Sequence, residues 1–128
     1  MIKSLYPVDR AKMKIAIVGS RKGVPPYIVI DYISTLPSDT TIVSGGAIGV
    51  DLTAENAAIY RGLNTIIFLP NFTLYPGNQA YFKRNEQIAE ACDEMVAFHN
   101  GYSRGTKHAI ACAKRLGKLV KVIIVINK

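Results

Sequence analysis

The sequence predicts a three-layer α/β fold in which a five-stranded parallel sheet, in the order 3-2-1-4-5, is covered by helices on both faces. Short apolar runs alternate with segments of helical periodicity along the 128 residues. The apolar runs are continuous, as expected for strands that are buried on both faces of a parallel sheet. Right-handed crossovers leave few topologies for such a chain, and this Rossmann-like order is the commonest one with five strands.

The first half of the chain supplies two strands and two helices. Glycines end both apolar runs, and Pro25 and Pro26 suit the first turn of a helix. Apolar residues at i, i+4, i+7 and i+8 from Val50 indicate the second helix, which Gly62 ends. The predicted elements are a strand over Lys14–Val18, a helix from Pro25 to about Leu36, a strand over Thr40–Ser44 and a helix from about Gly49 to Arg61.

The second half supplies three strands and two helices. Pro70 breaks the third strand, and residues 70–78, with two prolines and a glycine, form a predicted surface loop. Gly117 stands at a typical helix end. The predicted elements are a strand over Asn64–Leu69, a helix over roughly Gln79–Cys92, a strand over Glu94–Phe98, a helix from about Thr106 to Leu116 and a strand over Lys118–Ile126.

Length and composition indicate one folded domain. Hydrophobic residues make up 49% and charged residues 20% of the chain, which is too apolar for a disordered protein. Residues 1–13 show no clear periodicity and are expected to be an N-terminal extension, with the single domain over 14–128. No apolar stretch approaches the ~20 residues of a membrane helix, and the first residues lack the apolar core of a signal peptide. The two cysteines are too few for a disulfide framework. We therefore expect a cytoplasmic protein.

The net charge of +7 is concentrated at the two ends of the chain. Residues 1–24 carry six basic and one acidic side chain, and residues 101–128 carry seven basic and no acidic ones. In the predicted topology the loops after strands 1 and 4 meet at the point where the strand order reverses, which is where ligands bind in such sheets. Arg21, Lys22, Arg104 and Lys107 are therefore expected to line one crevice, although solubility alone also explains a basic surface.

Three loops have the composition of anion sites. The loop Gly19-Ser20-Arg21 combines a flexible backbone, a hydroxyl and a guanidinium, and three glycines in Ser44–Asp51 leave N–H groups free at a helix N-terminus. In Gly101–Lys107, Ser103 and Thr106 offer hydroxyls beside Arg104 and Lys107. Tight turns and a serine-capped helix start explain the same residues. Neither GxGxxG after strand 1 nor GxxxxGK[ST] is present.

Taken together, the motifs resemble the SLOG superfamily. They are GSR after strand 1, SGGAxGVD after strand 2, RN before strand 4 and GT after strand 4, within a resemblance that spans about Lys14 to Ile124. The superfamily contains the DNA-processing protein DprA/Smf, the LOG phosphoribohydrolases and the small stand-alone YspA-like domains, and the chain resembles the last branch most. The resemblance implies a Rossmann-like fold with a nucleotide or nucleotide-derived ligand at Gly19, Ser20, Arg21, Gly45, Gly46, Gly49, Asp51, Arg84, Asn85, Gly105 and Thr106; Arg104 joins them for its charge.

The resemblance leaves enzymatic activity uncertain. LOG enzymes carry PGGxGTxxE, whose Glu helps to cleave an N-glycosidic bond, and Ala109 stands at that position here. Asp51, Glu55 or Glu86 are the carboxylates that remain available to assist a leaving base. His99, His108, Cys92 and Cys112 match no metal motif, so no metal and no cofactor is expected.

Three functions follow from these residues. The first is a nucleotide-binding module or sensor without strong catalysis. The second is a phosphoribohydrolase that acts on nucleoside 5′-monophosphates, and the third is a DprA-like binder of single-stranded nucleic acid, which the +7 charge favours. Tyr75, Tyr81, Phe82 and Tyr102 lie in or near the ligand-side loops, where an aromatic ring can stack on a base. A homodimer is plausible through an apolar edge strand at Lys118–Ile126, although Lys121 blocks that edge.

Overall fold

The computed structural model describes residues 12–126 and contains one five-stranded parallel sheet in the order β3-β2-β1-β4-β5. This confirms the fold class and the strand order expected from the sequence. The strands are β1 (Lys14–Gly19), β2 (Thr41–Ser44), β3 (Asn64–Ile67), β4 (Glu94–His99) and β5 (Leu119–Ile124). The helices are α1 (Pro26–Ser34), α2 (Val50–Arg61), α3 (Asn78–Ala91) and α4 (Arg104–Arg115).

The two central strands bring distant parts of the chain together. β1 pairs with β4 in a register that joins Ile15 to Glu94 and Gly19 to Phe98. Every residue of β4 is buried, because the strand has neighbours on both sides and helices on both faces. The loops after β1 and β4 therefore start side by side, at the carboxyl edge of the sheet.

Two apolar clusters fill the space between the sheet and its helices. On one face Ile17 and Phe98 pack against α1 and α2, and on the other Val18 and Met95 pack against α3 and α4. Met13 contributes to the first cluster, and its carbonyl oxygen accepts a hydrogen bond from Thr41 N–H. The predicted N-terminal extension lies outside the described residues up to position 11. None of the helices within residues 12–126 is long and apolar enough to cross a membrane.

Several element boundaries differ from the sequence expectation by one or two residues. α4 begins at Arg104 rather than Thr106, because the Ser103 hydroxyl accepts a 3.3 Å hydrogen bond from Thr106 N–H and so caps the helix. β3 ends at Ile67 and β5 at Ile124, earlier than the apolar runs suggest. Both are edge strands, and each makes one more hydrogen bond to its neighbour just past its end, from Phe68 N–H to the carbonyl oxygen of Ser44 and from Val125 N–H to that of His99.

Candidate functional site

A cavity of 640 Å³ opens at the carboxyl edge of the sheet, between the loops after β1 and β4 and the first half of α3. This cavity is called the crevice below. Its walls combine basic, aromatic and amide side chains and carry no carboxylate among the described residues. The side chains are Arg21, Lys22, Arg84 and Arg104; Tyr81, Phe82 and Tyr102; and Asn78, Asn85 and Asn100.

Two arginines from distant parts of the sequence meet on the ring of Tyr81. The guanidinium carbons of Arg21 and Arg84 lie 5.8 and 5.9 Å from its centroid, within the range of cation–π contact. Within residues 12–126 the single ion pair joins Lys83 to Glu86, so no carboxylate neutralises either guanidinium directly. Burial lowers the pKa of Arg84, and the nearby charge of Arg21 lowers it further, whereas Asp51 opposes both. The wall therefore keeps an excess of positive charge, which the buried Asp51 behind the loop after β2 offsets only in part at Arg84.

The loop after β2 is held by the carboxylates of two buried residues of α2. Asp51 accepts a hydrogen bond of 3.2 Å from Gly45 N–H, and Glu55 accepts bonds of 2.8 Å from Gly46 N–H and 2.7 Å from the Ser44 hydroxyl. Burial raises the pKa of Asp51 to about 6, although the charge of Arg84 and backbone N–H groups act in the opposite direction. Both carboxylates accept hydrogen bonds from the loop, and neither lines the crevice.

Arg84, on α3, also contacts the loop after β2. Its guanidinium donates to the carbonyl oxygen of Gly45, while its Nε donates a 3.0 Å hydrogen bond to the side chain of Asn85. The Asn85 amide in turn donates to the carbonyl oxygen of Gly105 at 3.3 Å. The Arg84-Asn85 pair thus ties α3 to the loop after β2 and to the start of α4.

Two glycines permit close contact between neighbouring loops. A Cβ on Gly19 would lie 2.5 Å from the carbonyl oxygen of Phe98, and a Cβ on Gly49 would lie 2.6 Å from that of Arg21. Gly49 also has a φ of +89°, which side chains disfavour. Backbone therefore packs on backbone where β1, β2 and β4 end, which a larger residue at either position would prevent.

The loop after β4 is fixed by the side chains of Ser20 and Asn100. The buried Ser20 hydroxyl accepts a 3.0 Å hydrogen bond from Asn100 N–H. The Asn100 side chain accepts hydrogen bonds from Tyr102 and Ser103 N–H at 2.8 and 3.1 Å and donates one of 3.1 Å to the carbonyl oxygen of Lys22. These bonds join the two loops that carry Arg21 and Arg104.

The structure thus separates the sequence-predicted site residues into two groups. Those in the crevice wall are Arg21, Arg84, Asn85, Arg104 and Gly105. Those that shape the surrounding loops without lining the cavity are Gly19, Ser20, Gly45, Gly46, Gly49, Asp51 and Thr106. Sequence reasoning did not single out Asn78 and Asn100 as wall residues. Asn100 directly follows β4, and this position at the carboxyl end of a strand is the feature of the sequence that could have identified it as a wall residue.

Metal binding finds no support in the part of the chain that the structure describes. The sulfur of Cys112 lies 3.7 Å from Nε2 of His108. Cys112 belongs to the apolar cluster under α3 and α4, and the His108 ring packs against Phe82 of α3. Within residues 12–126 no group of three or more His, Cys, Asp or Glu side chains converges on one point.

The chain is similar to proteins that process DNA. A family model described as DNA recombination-mediator protein A matches residues 6–79. The X-ray structure of DNA processing protein A (DprA) from Streptococcus pneumoniae superposes with a TM-score of 0.73 and 25% identity, over 89% of this chain and 51% of that one. DNA processing protein A from Helicobacter pylori, whose structure was reported for its single-stranded DNA binding mode, shares the fold. It superposes with a TM-score of 0.67 and 22% identity, over 87% of this chain and 65% of that one.

The chain therefore spans about half to two-thirds of the length of these structural neighbours. The comparison with curated protein sequences gave no match.

Proposed function

Because this chain belongs to the DNA recombination-mediator protein A family, we propose that it binds single-stranded DNA in the crevice. The observation that carries the proposal is the convergence of Arg21 and Arg84 on the ring of Tyr81, in a wall without carboxylates. Like charges held close together in a wall without carboxylates favour a polyanionic ligand. The Helicobacter pylori protein, which shares the fold, is described as binding single-stranded DNA.

The arrangement suits the two chemical parts of a nucleotide. Arg21, Lys22 and Arg104 supply charge for a phosphate at the N-terminus of α4, where the helix dipole also favours an anion. Tyr81 and Phe82 supply aromatic surface on which a base can stack, which is tolerant of sequence because every base has a π-face. A site that combines these two features suits a single strand, because its bases are unpaired and can stack on the aromatic side chains.

Hydrolysis of a nucleotide is disfavoured as the main activity. Cleavage of an N-glycosidic bond needs a group that protonates the leaving base or activates water. Asp51 and Glu55 are buried, accept hydrogen bonds from the loop after β2, and do not line the crevice. Position 109, where LOG enzymes carry their Glu, is a buried alanine. The groups that line the crevice bind and orient a ligand.

A free nucleotide or nucleotide-derived ligand is the second candidate. The crevice volume of 640 Å³ lies within the usual range of small-molecule sites. Such a ligand would use the same basic and aromatic side chains, so the two candidates differ in the length of the ligand rather than in the site.

The experiment that tests the proposal measures binding of a fluorescent 12-nucleotide oligothymidylate by anisotropy at several salt concentrations. We expect Arg21→Ala to weaken binding by about tenfold and Arg104→Ala to reduce the slope of log K against log salt by about 0.7, as for one lost phosphate contact on a single strand. Lys114→Ala is the matched control, because Lys114 is exposed and lies ten residues away, about 15 Å along α4.

Two results would overturn the proposal. One is the absence of oligonucleotide binding by the wild-type protein at low salt, and the other is equal binding by the Arg21→Ala and Lys114→Ala variants. Thymidine 5′-monophosphate, tested as a competitor, separates the second candidate. A protein specific for a free nucleotide would bind it at least as tightly as the 12-nucleotide strand, whereas a strand-binding protein would need a large excess of the mononucleotide to release the oligonucleotide.

A further inference from the structure

A second cavity, of 500 Å³, adjoins the crevice on the β5 side. The two cavities share three wall residues, Lys22, Asn100 and Tyr102. The remaining wall of the second cavity is formed by Gly23, Gly101 and the three residues Ile124, Val125 and Ile126 at the end of β5. The two cavities therefore lie side by side, separated by the loop after β4.

The second cavity differs from the crevice in its chemistry. Lys22 is the single charged residue of its wall within the described part of the chain, and the outer wall is aliphatic. Ile124 and Ile126 are 56% and 79% exposed, so they contribute little to the core. A Cβ added to Gly101 would meet no atom within 4 Å, so this part of the wall is unobstructed. This surface suits a flat apolar group rather than a phosphate.

Tyr102 stands on the boundary between the two cavities. The residue is 84% exposed, so packing against the core does not account for an aromatic side chain here. Its backbone, by contrast, is fixed, because Tyr102 N–H and Ser103 N–H both donate to the Asn100 side chain and Gly101 N–H donates to Nδ1 of His99 at 3.2 Å. An exposed aromatic ring on a rigid loop is an arrangement suited to stacking.

We infer that the second cavity receives the base of the nucleotide adjacent to the one in the crevice, with Tyr102 between the two bases of one strand. The inference rests on the proposed binding of single-stranded DNA. It specifies the direction that a strand takes, across the loop after β4 and toward β5. A cavity of 260 Å³ on the opposite side shares only Arg84 with the crevice and is half the volume, so it offers no comparable continuation.

The test compares dissociation constants for thymidylates of one, two, three and four nucleotides at one salt concentration. In the wild-type protein, affinity should rise about fivefold or more between one and two nucleotides, as expected for one additional stacked base. The double variant Ile124→Ser/Ile126→Ser should lose this increment while it binds the mononucleotide as the wild type does. Ile59→Ser, which changes an isoleucine of 63% exposure on α2, is the matched control.

A second pair of variants keeps the inference testable if the substitutions in β5 prevent folding. Tyr102→Ala should lose the increment, and Tyr102→Phe should keep it, whereas Tyr60→Ala removes an equally exposed ring on α2 and should change nothing. If the β5 and Tyr102→Ala variants gain affinity with length as the wild type does, the inference is wrong and the proposed function stands. If the wild-type protein binds no thymidylate of any length, the proposed function fails as well.

Discussion

The backbone N–H of Gly45 donates a 3.2 Å hydrogen bond to the carboxylate of Asp51. On the other side of the same glycine, the guanidinium of Arg84 donates to its carbonyl oxygen. Gly45 thus separates an acidic from a basic side chain that are both buried. This relationship couples the shape of the loop after β2 to the position of an arginine in the crevice wall.

Replacement of Gly45 by alanine tests this coupling. The new methyl group would lie 2.6 Å from Nη1 of Arg84 and 2.8 Å from Oδ2 of Asp51. We expect the free energy of unfolding, measured in urea, to fall by about 1–3 kcal/mol. The matched control is Gly105→Ala in α4, where an added Cβ meets nothing within 4 Å and helix propensity should leave the stability unchanged or slightly higher. Equal stability of the two variants would contradict the close contact.

A second glycine pair separates backbone strain from steric contact. Gly49 and Gly77 share a backbone conformation that side chains disfavour, with φ and ψ of +89° and −130° at Gly49 and of +59° and −136° at Gly77, so alanine at either position costs roughly 1–3 kcal/mol. At Gly49 a Cβ would also lie 2.6 Å from the carbonyl oxygen of Arg21, whereas at Gly77 it meets nothing within 4 Å. Gly49→Ala should therefore lower the melting temperature clearly more than Gly77→Ala, and similar melting temperatures would exclude the loop contact.

Asp51 should make stability depend on pH in an unusual direction. Its pKa is raised by burial from 3.8 to about 6, so between these values the folded state holds a proton that the unfolded state has lost. The contribution of Asp51 to stability therefore falls as pH rises from about 4 to 6, by an amount on the order of 3 kcal/mol. Asp51→Asn does not titrate, so its stability relative to the wild type should increase across that window.

Thermal unfolding of both proteins between pH 4 and 7 measures this difference. Asp31→Asn, which removes one negative charge from the exposed face of α1, controls for the change in net charge. A stability difference between Asp51→Asn and the wild type that stays constant or shrinks as the pH rises would contradict the raised pKa.

Tyr81 should support binding through its ring rather than its hydroxyl. The ring lies beside both Arg21 and Arg84 and packs edge-on against Phe72, with 5.2 Å between centroids. We expect Tyr81→Ala to weaken oligonucleotide binding by about 1–2 kcal/mol and Tyr81→Phe to retain it, as measured by anisotropy. Tyr27→Ala, an exposed tyrosine on α1, is the control. A Tyr81→Phe variant as weak as Tyr81→Ala would assign the effect to the hydroxyl.

The fold was predictable because each strand is a continuous apolar run followed by a turn residue. The match to the DNA recombination-mediator protein A family confirms the superfamily inferred from the four motifs. Of the four basic residues expected to line one crevice, Arg21, Lys22 and Arg104 do so, as the strand order predicts. Lys107 does not line the crevice, because it lies one turn into α4.

The roles of individual polar residues were less accessible from the sequence. A glycine-rich loop before a helix is equally typical of an anion site and of a tight turn. Only the geometry shows that the carboxylates of Asp51 and Glu55 accept hydrogen bonds from the loop after β2. Likewise, only the geometry shows that the hydroxyls of Ser20 and Thr106 bond to neighbouring residues of the loop after β4 rather than face the cavity. The side chains of residues 21 and 84 meet through tertiary packing, which no local pattern encodes.

The pairing of β1 with β4 has a consequence for protein synthesis. Residue 15 lies opposite residue 94, and the crevice wall includes residues as late as 105. During synthesis the segment that carries Arg21 and Lys22 is made well before the segment that completes the crevice. The crevice therefore takes its shape only when β4 is inserted beside β1.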